Sequence, residues 1–415
     1  MDTPKKIAKE SVKASQILNV TSSQLKSNIL KLAANKIKKN FKQIQNADKI
    51  DLKIAKSKGL NDALIDRLFL DKNRINGISQ SLMEIAKWPD PVGKILNKWK
   101  RPNGLEIHKV SVPIGVLLII YESRPNVTTD ASGLCLKSGN AVILKCGSES
   151  LNSSKALLSC IHQSLKKYKL PENLVQILPS NNRKLVSDLL KMDNYIDVVV
   201  PRGGKSLIKA ISKQSKIPIL KHLDGICHTY IDEASNLSMA KKIVYNAKMR
   251  RTGICGATET LLVSKKVVNS QIPQIIDLLI NANCEVRGDK IIKKLDKRVV
   301  QAKYKDWKTE YLAPIISIKV VKNVHEAIDH INTFGSNHTD AIITENKKNA
   351  KLFLERVESS IVMHNTSTQF ADGGEFGMGA EIGISTGKLH ARGPVGADQL
   401  TTFKYIVKGK GQVRS

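Results

Sequence analysis

The sequence predicts an α/β protein made of two doubly wound domains and a small projecting arm. Three observations carry this. Short Val-, Ile- and Leu-rich runs alternate with segments of helical length, in two separate series. The chain has 415 residues, more than one ordinary core accommodates. An Asn-Gly pair, a tight-turn signal, stands ahead of the first series, with alternating residues after it.

Taken in order, residues 1–90 read as helix. Leu25, Ile29, Leu32 and Ile37 recur near helical spacing after the capping-type Thr21-Ser22-Ser23. Segments 62–70 and 72–88 continue the pattern until Pro89 and Pro91 stop it. Asn103-Gly104 then marks the turn of a hairpin arm, because Leu105, Ile107, Val110 and Val112 alternate with polar neighbours. The first apolar runs, 116–120, 141–144, 175–178 and 196–200, read as buried parallel strands. Helices between them are expected to start at Pro125, around 148–150, near Asn181 and at Gly204. The second series places strands at 258–263, 315–321, 341–344 and 360–363, with helices at 271–281, 324–332 and 347–357. The Gly-rich stretch from Thr366 to Pro394 reads as a binding loop, because structured segments flank it. Residues 400–407 return to strand character.

Composition narrows the class of function. Hydrophobic residues make up 41% of the chain and aromatics 4%, so the core is aliphatic. The formal charge is +30, mostly from lysines spread along the whole length. The densest clusters, Lys36-Ile37-Lys38-Lys39 and Lys166-Lys167-Tyr168-Lys169, fall on polar faces of helical segments with few aromatics between them. That pattern indicates a solvated surface that draws anionic substrates, not a nucleic-acid footprint. No apolar run is long enough for a signal peptide or a membrane span. A soluble cytoplasmic protein with six free thiols follows as the expectation, since no Cys-x-x-Cys pair occurs.

Three segments carry chemistry. Cys255 lies between Gly253 and Gly256, after Arg250 and Arg251. Glycines let backbone approach a ligand, and the arginines favour a thiolate. The other five cysteines read as structural. Asn126 follows Tyr121-Glu122-Ser123-Arg124-Pro125 at the carboxyl end of the 116–120 strand, where open α/β sheets place ligands. An Asn there caps a helix as readily as it donates to an oxyanion. Pro201-Arg202-Gly203-Gly204-Lys205-Ser206 joins a strand to a helix and forms an anion-friendly turn. It is not a P-loop, because Val199 stands where the first glycine would be. His222, Cys227 and His228 fall short of a metal-ligand set, so no metal is expected. No nucleophile elbow appears.

These segments, together with 135–141, 201–207, 221–225, 372–377, 389–394 and 404–407, resemble the gamma-glutamyl phosphate reductases of the aldehyde dehydrogenase superfamily. The resemblance covers nearly the whole chain. It implies an aldehyde-dehydrogenase-like fold and NADPH-dependent reduction of L-glutamyl 5-phosphate to L-glutamate 5-semialdehyde and phosphate, in proline biosynthesis. Cys255 matches the nucleophile and Asn126 the oxyanion donor. Lys145, Ser148 and Glu149 match the stretch that meets the adenosine ribose of NADP(H). Gly203 and Gly204 match the pyrophosphate turn, and Glu310 the nicotinamide-ribose glutamate. Arg124, Arg202, Arg251 and Arg392 are candidate anion partners, some of them as structural ion-pair members. His222 replaces the glutamate that activates water in acid-forming members; it contacts phosphate or carboxylate, or is structural. Cys146 stands where the family often has Gly, and Met249, Thr252 and Gly256 vary the nucleophile segment.

The implied division is a cofactor-binding domain at 1–230, with a hairpin arm at about 100–112, a catalytic domain at 231–394 and an oligomerisation strand at 395–415. A homo-oligomer is implied, and glutamate 5-kinase is the candidate protein partner; neither nucleic acid nor membrane is expected. Two readings compete. A hydrolytic aldehyde dehydrogenase would need the missing glutamate. A basic nucleic-acid-binding protein on a dead enzyme fold would not need Cys255, Asn126 and Glu310 together.

Overall fold

The computed structural model describes residues 3–178 and 183–414. They form two compact units, Met1–Lys221 with Gly377–Gly383 and Val395–Ser415, and His222–Phe376 with Ile384–Pro394.

The first unit opens with the helices Pro4–Asn19, Ser23–Lys39, Phe41–Ser57, Asp62–Leu68 and Lys72–Lys87. The second shows why. The Ser22 hydroxyl accepts from the Leu25 N–H, and Ile29, Leu30, Ala33, Ala34 and Ile37 make a continuous buried stripe. Both lysine clusters reach the last turns of helices, Ser23–Lys39 and Leu151–Lys167, where the exposed carbonyls favour cations. The sheet of this unit runs Val175–Ile177, Ala141–Lys145, Val116–Tyr121, Val198–Arg202, all parallel. Helices follow at Asn126–Lys137, Leu151–Lys167, Arg183–Leu189 and Lys205–Gln214. The expected helix start at Asn181 lies outside the described residues.

The arm is larger than a hairpin. Ile95–Lys100 pairs with Glu106–Pro113, and the C-terminal strand Thr401–Lys408 adds to the free side of Glu106–Pro113, all antiparallel. Ile95, Leu96, Phe403, Tyr405 and Val407 are exposed there.

The second unit holds a seven-stranded parallel sheet in the order Val300–Gln301, Glu285–Gly288, Ile315–Val321, Thr258–Ser264, Cys227–Ile231, Thr339–Ile343, Ile361–His364. The two compact units divide after Lys221, and Cys227–Ile231 is paired on both sides within this sheet. The sequence hid it because His228 and Thr229 interrupt the apolar run. Both are fully buried and bond neighbouring strands: His228 bonds Asp340 (Nδ1 to Oδ1, 2.8 Å) and Thr229 bonds Thr258 (2.7 Å). The Gly-rich stretch is also divided, with Gly377–Gly383 in the first unit and Ile384–Pro394 in the second. No helix among the described residues is long and apolar enough to cross a membrane.

Candidate active site

In the second unit the chemistry gathers at the amino ends of three neighbouring strands. Cys255 precedes Thr258–Ser264, His222 and Gly225 precede Cys227–Ile231, and His338 precedes Thr339–Ile343. Parallel pairing holds these starts side by side, with Cys227 opposite Thr258 and Asp340 opposite His228. One ligand atom each of His222, Cys255 and His338 therefore lie within 4.8 Å of one another. The trio was not foreseen: His338 sits 83 residues from Cys255 in a stretch without a motif. It is also the one group among the described residues with the spacing to hold a metal ion, in place of the His222, Cys227 and His228 considered from sequence.

Each member is held. Cys255 is the one cysteine of six that is not buried, and it packs beside Ala341, Ile361, Met363, Ala371 and Ile384. The Cys227 thiol donates to its carbonyl oxygen (3.0 Å); burial pushes that thiol well up, so it stays protonated and able to donate. Nδ1 of His222 bonds the Ile384 carbonyl (2.8 Å), and Nδ1 of His338 bonds Thr339 Oγ1 (2.9 Å). The two imidazoles meet edge to face at 5.3 Å.

The loop carrying Cys255 is clamped from both ends. Lys248, in the last turn of Leu237–Met249, pairs with Glu259, at the start of Thr258–Ser264, and both are fully buried. Glu259 also accepts from the Leu312 N–H (3.1 Å). Gln369 donates to the carbonyls of Ala247 (3.0 Å) and Arg251 (3.1 Å). Glu310, expected at a ribose, accepts from the Gly225 N–H (2.9 Å). Gly225 lies against Cys255, and a methyl group there would fall 2.2 Å from the Cys255 carbonyl oxygen. Arg251 is exposed, and Arg392 is engaged by Glu358 through Nη1 (3.0 Å to Oε1) and Nη2 (2.6 Å to the carbonyl), an ion-pair role.

In the first unit the candidates lie at the opposite, carboxyl ends of strands. Lys145 ends its strand beside Ile120, and Arg202 ends its strand beside Tyr121. Asn126 is exposed on the first turn of its helix, with Nδ2 donating to Asp130 Oδ2 (3.0 Å); Ser81 donates to the other carboxylate oxygen (2.7 Å). Burial raises the Asp130 pKa, and these two donors oppose the rise. Asp130, which fixes the Asn126 amide, was missed by sequence reasoning, although its four-residue spacing from Asn126 was a signal. The Gly203–Gly204 turn is closed by the chain's own anion, with Glu122 Oε2 accepting from the Gly204 N–H (3.0 Å). A methyl group on Gly203 would fall 2.4 Å from that oxygen, so a larger residue there would displace the Glu122 carboxylate from the turn. Arg202 places its guanidinium over Gly383, with a buried Nε lacking a hydrogen-bond partner. Arg124 is half-buried.

A partly exposed thiol beside two imidazoles has the chemistry of a covalent nucleophile, and it sits in a chain with two parallel α/β sheets. The chain belongs to the aldehyde dehydrogenase family, whose model matches residues 4–286 and 297–404, and within it to the gamma-glutamyl phosphate reductases. It is 54% identical over 402 residues to the gamma-glutamyl phosphate reductase of Paramagnetospirillum magneticum, covering 97% of this chain and 95% of that one. The protein of that name from Rhizobium etli is 48% identical over 409 residues, covering 98% and 96%. The crystal structure of the Thermotoga maritima gamma-glutamyl phosphate reductase matches with a TM-score of 0.97 at 42% identity, covering 100% of both chains. An engineered glycolyl-CoA reductase with bound NADP+, 15% identical, shares the fold at a TM-score of 0.69, covering 98% and 96%.

Proposed function

We propose that this chain reduces L-glutamyl 5-phosphate to L-glutamate 5-semialdehyde and phosphate with NADPH, through a thioester on Cys255, in proline biosynthesis. The observation that carries the reading is the partly exposed Cys255 thiol, flanked by His222 and His338, on a residue whose backbone carbonyl accepts from the Cys227 thiol, in a chain about half identical to curated gamma-glutamyl phosphate reductases along nearly its full length.

Cys255 attacks the acyl carbon as thiolate; the carbon–oxygen bond to phosphate breaks, and phosphate leaves with that electron pair. A bound nicotinamide cofactor supplies the hydride that reduces the thioester. The Cys255 backbone N–H is a donor to the developing oxyanion, and Asn126 matches the side-chain oxyanion donor of the family, each such donor being worth about a hundred- to a thousand-fold in rate. Collapse of the thiohemiacetal releases the aldehyde and returns the thiolate. His222, in place of a carboxylate base, leaves the thioester without a group that activates water strongly. Lys145, Ser148 and Glu149 fit the adenosine ribose and Glu310 the nicotinamide ribose, while Arg124, Arg202 and Arg251 remain the cations for the substrate's anionic groups. The exposed apolar residues of the three-stranded arm support a homo-oligomer. The reaction belongs in the cytoplasm, beside the kinase that makes the labile acyl phosphate.

The test supplies L-glutamate 5-semialdehyde, phosphate and NADP and follows NADPH formation. Turnover should require phosphate and should vanish in Cys255→Ala, with folding and cofactor binding retained. Equal rates without phosphate refute the acyl-phosphate reading, and activity in the Cys255→Ala protein refutes the thioester.

A further inference from the structure

Lys58 has no part in the site as described so far, yet the fold fixes it. The helix Phe41–Ser57 ends at Gly59, whose φ is +67°. The Leu60 N–H bonds the Ala55 carbonyl (3.2 Å) and the Gly59 N–H bonds that of Lys56 (3.0 Å), the two bonds of a Schellman stop. Lys58 is the exposed cap residue of that stop. The helix is in turn locked to the one that follows Ser148. The buried Asp51 carboxylate accepts from the N–H groups of Asn152 (3.2 Å) and Ser153 (2.7 Å), from Asn152 Nδ2 (2.8 Å) and from Ser153 Oγ (2.6 Å). The consequence is a contact across 90 residues of sequence, Lys58 Nζ donating to Ser148 Oγ at 2.6 Å.

Glu149 is meanwhile occupied. Its Oε1 accepts from the Ser123 N–H (3.1 Å) and hydroxyl (2.8 Å), and its Oε2 from the Ser148 hydroxyl (3.3 Å). Burial works against its charge, but its own backbone N–H and these donors hold its carboxyl below the usual range. Ser148 thus gives its single proton to Glu149 and its lone pair to Lys58. A ribose with a free 2′-hydroxyl is best met by an available carboxylate, whereas a 2′-phosphate needs cations. Here the carboxylate is occupied by Ser123 and Ser148, and Lys58 joins Lys145 at this stretch.

We propose that Lys58 is the specificity-determining residue that selects a dinucleotide phosphorylated on its adenosine ribose, with Ser148 as the hydroxyl that seats the phosphate beside it. This rests on the assignment of Lys145, Ser148 and Glu149 to the adenosine ribose.

The experiment titrates the full-length protein by calorimetry with 2′,5′-ADP and with 5′-AMP, which differ only by the 2′-phosphate. Wild type should bind 2′,5′-ADP at least about tenfold more tightly. Lys58→Met should remove about tenfold from that ligand and change 5′-AMP by less than twofold, while Lys58→Arg should keep the preference. The same pattern is expected in KM for NADPH against NADH, with kcat unchanged. Full preference in Lys58→Met overturns the proposal alone. Equal binding of the two nucleotides by wild type overturns the proposal together with the NADP assignment.

Discussion

Replacing Gly225 by alanine tests how finely the nucleophile is placed. The added methyl would lie 2.2 Å from the Cys255 carbonyl oxygen and 2.6 Å from its Cα and Cβ. Comfortable carbon contacts begin near 3.5 Å, so the two strand starts must part by about 1 Å. Neither can yield easily. Gly225 is bonded to Glu310 through its N–H (2.9 Å), and the Cys255 carbonyl accepts the Cys227 thiol (3.0 Å). Overpacking of this kind costs about 1–3 kcal/mol of stability. A misplacement of about 1 Å at a reacting atom costs about a hundredfold in rate. Gly225→Ala should therefore melt a few degrees lower, lose about two orders of magnitude in kcat, and shift the rate at which iodoacetamide alkylates Cys255. Wild-type kcat and alkylation in a folded Gly225→Ala protein would show that the close approach does not set the thiol's position.

Three further outcomes follow from the contacts. Asp130→Asn should lower kcat by up to about tenfold without changing KM for the dinucleotide, and should add nothing to Asn126→Ala, because Asp130 acts through the Asn126 amide; additive losses in the double variant would sink that role. Lys248→Met should cost about 3–5 kcal/mol in urea unfolding, since it strands a buried Glu259, and Lys248→Met with Glu259→Gln should recover most of it. A loss below about 1 kcal/mol would mean the pair does not grip the loop. Burial pushes His330 down to about 3, helped by His228 and Lys319. The unfolded chain then binds a proton between about pH 6.5 and 3 that the fold refuses. Stability should fall by about 1.4 kcal/mol per unit as pH drops through that window, and His330→Phe should flatten the slope; parallel curves for the two proteins would refute it.

Much of this protein could be read from its residue order. The helical start follows from apolar residues recurring every three to four positions, the arm from Asn103-Gly104 with alternation around it, and the four strands of the first unit from continuous apolar runs, all of which report burial directly. The local settings of Cys255, in a connection ahead of a strand, and of Asn126, on the first turn of a helix, were likewise legible. What residue order could not give was any feature decided by which strands become neighbours. Cys227–Ile231 escaped because its buried polar residues find partners on other strands. His338 entered the site only because its strand lies beside Cys227–Ile231, and Lys58 reached Ser148 only because Asp51 fastens two distant helices. Periodicity encodes which face of an element is buried; the partner against which it is buried is settled by the folded chain as a whole, and the site is made of such partners.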